Sequence, residues 1–166
     1  MSVLFAVLTV LTNVAYTVGF DVDRRQPAWV SYEIGPARLT SGDRPTCPFV
    51  ADPRLPTSDV AADYVGSGYD RGHMAPAADM KWSPVAAVES FYFSNVCPQV
   101  PRFNRGRWRE IETAVRRMAE SGTVTVVTAP IYDGSTNVCG RLTVPTRFVK
   151  VVYGEAGFAF WVEENR

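Results

Sequence analysis

Histidine is nearly missing from this chain. Among 166 residues only His73 carries an imidazole, so a single side chain is available for proton transfer near neutral pH without a shifted pKa. Cysteine is scarce as well: Cys47, Cys97 and Cys139 form no C-x-x-C spacing, which excludes a zinc knuckle and a thioredoxin-like centre. Their odd number leaves open one bridge with a free thiol, or three thiols. Lysine is confined to Lys81 and Lys150 among 17 basic residues, so arginine carries the positive charge. The formal net charge is +0, which excludes a globally basic, histone-like binder but not a local basic surface. Charge is also absent from Met1 to Phe20. A secretory leader normally opens on basic residues, and Thr9, Thr12, Asn13 and Thr17 weaken a membrane-spanning reading. Residues 1–12 are expected as a short hydrophobic leader or a first strand, and residues 13–166 as a single domain.

What is present describes a folded α+β domain. Hydrophobic residues make up 46% of the chain and aromatics 12%, enough for a genuine core. Residues 14–20 and 28–34 read as an antiparallel strand pair around the turn from Asp21 to Pro27. From Gly35 to Gly68 the chain carries Pro36, Pro45, Pro48, Pro53 and Pro56 and reads as a long irregular stretch, a kind of segment that is usually functional in a compact domain. Ser83 followed by Pro84 predicts a short helix to about Ser90, and Phe91 to Val96 an aromatic strand. The spacing of Trp108, Ile111, Val115 and Met118 predicts a helix from Asn104 to Gly122. Thr123 to Thr128 reads as a buried strand, and residues 148–153 and 157–162 as a last pair. Strands and helices do not alternate strictly, which disfavours a doubly wound sheet.

Chemistry concentrates in Asp70-Arg71-Gly72-His73. An imidazole can take a proton from water, a guanidinium can hold an anionic phosphate, and glycine lets a ligand approach the backbone closely. A group that stabilises the leaving charge is still needed. Asn104 and Glu112 lie eight residues apart on the expected helix, which brings them to within roughly 80° of each other around its axis. Oxygen donors with room for waters suit a hard ion such as Mg²⁺. Taken singly, Asn104 reads as an N-cap and Glu112 as the i,i+4 partner of Arg116. An arginine-rich segment, with Arg102, Arg105, Arg107, Arg109, Arg116 and Arg117, surrounds them.

Together these motifs resemble the DNA/RNA non-specific endonucleases with a ββα-metal (His-Me finger) core, and especially the endonuclease G branch. The resemblance rests on Tyr16-Thr17-Val18-Gly19-Phe20 with Trp29-Val30, on Ala62-Asp63-Tyr64 and the run Gly66 to Pro76, on Phe91 to Gln99, and on Phe103 to Trp108 continuing to Glu112. The family usually carries a further segment near its C-terminus, so either a C-terminally minimal form or a truncated chain is expected.

The resemblance implies a Mg²⁺-dependent, sugar-non-specific hydrolase of DNA and RNA phosphodiesters that leaves 5′-phosphate ends, with Mn²⁺ as a substitute ion. His73 would be the general base, Arg71 the phosphate-stabilising arginine, and Asn95 a residue ordering the site and the metal's waters. Asn104 would bind the ion directly, and Glu112 would hold it through water. Asp70 would orient the site, and Arg44, Arg105 and Arg107 would meet the substrate. Two alternatives remain: a catalytically silent nucleic-acid-binding member of the same fold, and a nuclease toxin controlled by an inhibitor. A homodimer and an inhibitor protein are the open partners, and an extracytoplasmic or organellar location is favoured over a cytosolic one.

Overall fold

Strands β2 (Tyr16–Asp21) and β3 (Gln26–Ile34) form the expected hairpin, with Val18 opposite Val30. Its turn is fixed by the Asp21 carboxylate, which accepts the Arg24 backbone N–H at 2.9 Å. Gly19 is required by packing: a Cβ there would lie 2.3 Å from the Trp29 ring, which crosses the hairpin at that point. The computed structural model describes residues 8–40, 43–55, 60–133 and 137–166. Leu8–Thr12 is a strand (β1) on the outer side of β2; the earlier residues of the apolar N-terminal run lie outside the described residues. Among the described residues no helix is long and apolar enough to cross a membrane.

The hairpin belongs to a six-stranded antiparallel sheet in the order β1-β2-β3-β6-β9-β10, where β6 is Val124–Ile131, β9 Arg147–Gly154 and β10 Gly157–Glu164. Strand β6 was expected to be buried throughout, but its burial alternates residue by residue. One face of the sheet is covered and the other is open, so only every second side chain meets the core.

The cover is a helical segment that begins earlier than the sequence suggests. Pro101–Phe103 (α3) opens it, with proline at a position that needs no N–H donor. Asn104–Trp108 then forms a π-turn, and Arg109–Ala119 (α4) continues as regular α-helix. Trp108, Ile111, Val115 and Ala119 are buried against the sheet. Phe103 and Trp108 lie 5.6 and 5.5 Å from the Phe148 ring of β9, which fixes the start of the helix over that strand. Asn104 donates its N–H to Val100 O at 2.9 Å. It therefore sits inside the helix and is not an N-cap.

The expected strand over Phe91–Val96 is displaced. Phe93–Asn95 makes a single 3₁₀ turn, and the strand is Val96–Gln99 (β5). The chain bends where the Phe93 ring fills a small second core: Phe93 and Val96 pack with Tyr64 and with Leu142 of β8 (Leu142–Val144), the partner strand of β7 (Asn137–Cys139). Strand β5 pairs antiparallel with β4 (Asp70–His73), setting His73 opposite Val96. Two strands followed by the helix give a ββα unit. Helix α2 (Pro84–Glu89) forms as read, capped by the Ser83 hydroxyl accepting from Ala86 N at 3.3 Å.

Between Gly35 and Gly68 the described residues hold only a 3₁₀ turn at Pro36–Arg38 and a short helix, α1 (Ala61–Tyr64). Asp52 anchors the stretch from within: buried, it accepts from Ser94 Oγ at 2.7 Å and from Arg54 through both carboxylate oxygens. All three cysteines are free thiols.

Candidate active site

Strand β4 carries the motif, and its glycine serves the strand. A Cβ on Gly72 would lie 2.2 Å from Gln99 Cδ, so glycine admits the neighbouring strand's side chain. The expectation that it admits a ligand is corrected: Gly72 is buried. His73 follows, 7% exposed, with the Phe49 ring 5.0 Å and the Phe91 ring 4.9 Å away. Burial, helped by the charges of Arg44 and Arg71, pulls the imidazole down to about 3 from its ordinary 6.5, so it is neutral at neutral pH. Its Nε2 is buried without a hydrogen-bond partner among the described residues.

The family resemblance puts Asn95 with the catalytic residues, ordering the site and the metal's waters; in the structure its side chain holds backbone. Its side chain is fully buried; Oδ1 accepts from Ala75 N and Nδ2 donates to Ala75 O and Ser90 O, each at 2.9 Å. Every polar atom of that amide serves backbone, and it lies outside the cleft that His73 faces. Asn95 is a clamp on the segment immediately after His73.

A cleft of ≈ 330 Å³ gathers Arg44, Arg71, His73, Asn104, Arg105 and Glu112, drawn from the irregular stretch, β4 and the helix. Asp70 lies beside it, lining the adjoining cleft. Asp70 Oδ2 accepts from Asn104 Nδ2 at 2.8 Å, and both its oxygens accept from Arg105, at 2.6 and 2.8 Å. Burial works to raise the Asp70 carboxyl, but the hydrogen bonds from Arg105 and Asn104 outweigh it and hold it below the usual range. With its N–H committed to Asp70, the Asn104 amide keeps its oxygen as a free donor to a cation. No partner to that oxygen occurs among the described residues.

Glu112 does not pair with Arg116. Arg116 donates instead to Asp79 Oδ1 and Thr113 Oγ1, at 2.9 and 3.0 Å. The half-buried Glu112 carboxyl therefore lines the cleft with no hydrogen bond or ion pair among the described residues. Burial pushes it up to about 7 against the opposing pull of Lys150. Lys150 is itself fully buried on β9, donating to Thr128 Oγ1 at 2.7 Å with the Trp108 ring 4.7 Å away. Sequence reasoning overlooked this lysine. The signal was available, because Lys150 alternates with Phe148 and Val152 on the apolar side of its strand.

The arginines divide sharply. Arg105 is bound to Asp70, and Arg107 pairs with Glu163 at 2.9 Å in a separate groove bordered by Val162 and Glu164. Arg107 is not brought to the cleft, whereas Arg105 reaches it with its guanidinium bound to Asp70. Arg44, Arg71 and Arg109 line the cleft with no carboxylate partner among the described residues. Arg109 is the member that sequence reasoning missed, and nothing local in the sequence separates it from its paired neighbours.

The model of the DNA/RNA non-specific endonuclease family matches residues 5–165. The chain belongs to this family. Human mitochondrial endonuclease G is 37% identical over 158 residues, covering 86% of this chain and 53% of its own length. Nuclease 1, mitochondrial, of Schizosaccharomyces pombe is 39% identical over 162 residues, with 86% and 50% covered. A solved chain from the EndoG/EndoGI complex, described as showing the mechanism of EndoG inhibition, superposes with a TM-score of 0.88 at 32% identity, covering 95% of this chain and 74% of that one. This family member spans about half the length of the curated relatives it matches. Its ββα unit and antiparallel sheet agree with the fold that the sequence motifs imply.

Among the described residues no three His, Cys, Asp or Glu side chains cluster as a metal cage. The cleft offers oxygen donors without hydrogen bonds, on Asn104 and Glu112, and space between them for water. Those features fit a hard divalent ion that takes few protein ligands and keeps its own waters.

Proposed function

We propose that this protein is a divalent-cation-dependent, sugar-non-specific endonuclease that hydrolyses phosphodiester bonds in DNA and RNA. The observation that carries the proposal is the convergence in one cleft of a neutral buried imidazole with arginines (Arg44, Arg71 and Arg109) and two oxygen donors (on Asn104 and Glu112) that have no ion-pair or hydrogen-bond partner among the described residues. Asn104 would hold Mg²⁺, or Mn²⁺ in its place, directly, and Glu112 would hold it through water. When bound, such an ion supplies charge stabilisation to the leaving oxygen. His73 would take a proton from the attacking water as the new O–P bond forms and the bond to the 3′ oxygen breaks; the 3′ oxygen takes a proton from solvent water and leaves as a hydroxyl, and the other product carries a 5′ phosphate. Arg44 and Arg71 receive the scissile phosphate. Burial is the larger cause of the low His73 pKa, and those two cations are the rest of it. A bound phosphate offsets their charge, so the imidazole becomes a stronger base when substrate is in place.

Non-specificity follows from the same arrangement, since guanidinium contacts to phosphate carry no base information. By extension from its relatives we assign the protein to an organelle, and from the EndoG/EndoGI complex we infer an inhibitor protein as a partner. A homodimer is supported by the open apolar face of the sheet. The deciding experiment is plasmid and RNA cleavage with Mg²⁺ and with EDTA. Cleavage should require the ion, fall by at least ~10²–10⁴-fold in His73→Ala, and vanish in Asn104→Ala together with ion binding measured by calorimetry. Undiminished cleavage in EDTA overturns the proposal.

A further inference from the structure

Beside the cleft that holds His73 lies a second, of ≈ 430 Å³, sharing Arg44, Arg71 and Asn104 with the first. Its remaining wall is Phe49, Ala61, Tyr64, Val65 and Tyr69, apolar and aromatic, with the Asp70 carboxylate, whose oxygens are taken up by Asn104 and Arg105. Side chains two apart on an extended chain point the same way and stand roughly 6.6 Å apart. Tyr69, Arg71 and His73 therefore form a row along β4 and its lead-in: an aromatic ring, a cation for phosphate, and the imidazole. Arg71 belongs to both clefts and marks the boundary between them.

The ring in this row is free. Phe49 is packed, with Arg71 lying 4.7 Å over it and Phe91 4.9 Å away. Tyr69 has no ring or cation partner among the described residues and is only half-buried. Val65, at the lip, is 83% exposed, far more than its apolar side chain would favour in water. The loop presenting both is held in shape. Ser67 Oγ accepts from Tyr69 N at 3.1 Å and donates to Tyr64 O at 2.9 Å, while Gly66 and Gly68 take the left-handed turns at φ 69° and 80°. A groove for phosphates alone needs neither an exposed valine nor an open ring. A flat apolar group one step from an anion does, and a nucleotide has that shape.

Resting on the nuclease reading above, we propose that the second cleft seats the nucleobase beside the scissile phosphate, with the Tyr69 ring as its stacking face and Val65 as its outer lip. A base within a duplex must first leave its stack to enter, so the protein takes unpaired nucleic acid in preference to duplex. Every base has a π-face, so stacking of this kind adds grip without adding sequence preference.

The test is binding of a short single-stranded oligonucleotide to protein carrying His73→Ala, without divalent ion, so that affinity is read without cleavage. Tyr69→Ala should weaken binding by roughly 5- to 150-fold, the range of one base–aromatic stack, and Tyr69→Phe should keep it. Scanning a single abasic site along the oligonucleotide needs no further variant. One abasic position should lower affinity to that of Tyr69→Ala, and should cost nothing more in the Tyr69→Ala protein. Val65→Asp, on an exposed side chain that folding does not need, should also weaken binding. Normal binding by Tyr69→Ala with no sensitive abasic position overturns the proposal. If ring-dependent binding is found but the unsubstituted protein with Mg²⁺ cleaves nothing, the nuclease reading fails while the base site stands.

Discussion

His73 does two things through one property, its burial. The imidazole sits at about 3 in the folded chain against 6.5 outside it. Between those values the unfolded chain binds the proton and the folded chain does not, so stability rises with pH across that window. The contribution is whole above pH 6.5 and is lost as pH falls toward 3, with a slope of at most about 1.4 kcal/mol per pH unit. His73→Gln should remove that slope. In thermal melts at pH 7 and pH 5, the variant should lose less of its Tm than the unsubstituted protein, and an equal loss would show that His73 is not protonation-resistant in the fold. The arginines make a second prediction at this scale. Arg71→Ala should lower turnover as well as affinity, because Arg71 stands beside His73 where charge develops. Arg109→Ala should weaken binding about equally for different sequences and reduce the salt dependence, by about 0.9 log unit of affinity per log unit of salt for each duplex phosphate that the variant leaves unneutralised. Arg107→Ala, already paired with Glu163 outside the cleft, should change neither. Binding isotherms at two salt concentrations separate the three.

The elements that a repeating pattern dictates were legible: the hairpin, the last strand pair and the buried stripe of the helix all follow from alternation or three-and-four spacing. What the sequence hid lies where tertiary contacts override the pattern. The aromatics of Phe91–Phe93 have strand propensity, yet the chain turns there and Phe93 fills a second core. At the site, the motif residues of β4 and the helix were legible by type, while Asn95's clamp rests on Ala75, 20 residues away, as well as on nearby Ser90, and the division among the arginines depends on partners tens of residues away. Asp70 lies 35 residues from Arg105, and Glu163 lies 56 from Arg107. The π-turn also has no simple signature, though it decides the geometry. It fits an extra residue into the turn between Asn104 and α4 and so sets the angle between Asn104 and Glu112. Deleting Gly106, whose Cβ position faces open space, should remove the extra residue, restore regular α-helix there and change both the angle and the rise between Asn104 and Glu112. Circular dichroism should show helix retained while calorimetric ion binding and cleavage are both abolished. Retained ion binding would detach Asn104 from the ion.

At the scale of the whole molecule, the sheet separates two surfaces of opposite character. Its covered side carries Phe148, Lys150 and Val152, and above them the helix and the cationic cleft. Its open side alternates with these. On β10 Phe158 is 67% exposed, Phe160 62% and Val162 49%, and Tyr153 opposite Phe158 is 49% exposed. Contiguous apolar surface of this kind drives association, and in a chain of zero net charge no long-range repulsion opposes it. The protein should therefore associate with itself through this face, its mass in sedimentation equilibrium rising with concentration. Replacing Phe158 by Lys and Phe160 by Glu together should abolish that rise and reduce binding of an apolar dye. Cleavage should survive, because both side chains point away from the helix and the cleft. A mass that rises unchanged in the double variant would move the association to another surface, and a loss of cleavage would show that the open face and the site are mechanically linked.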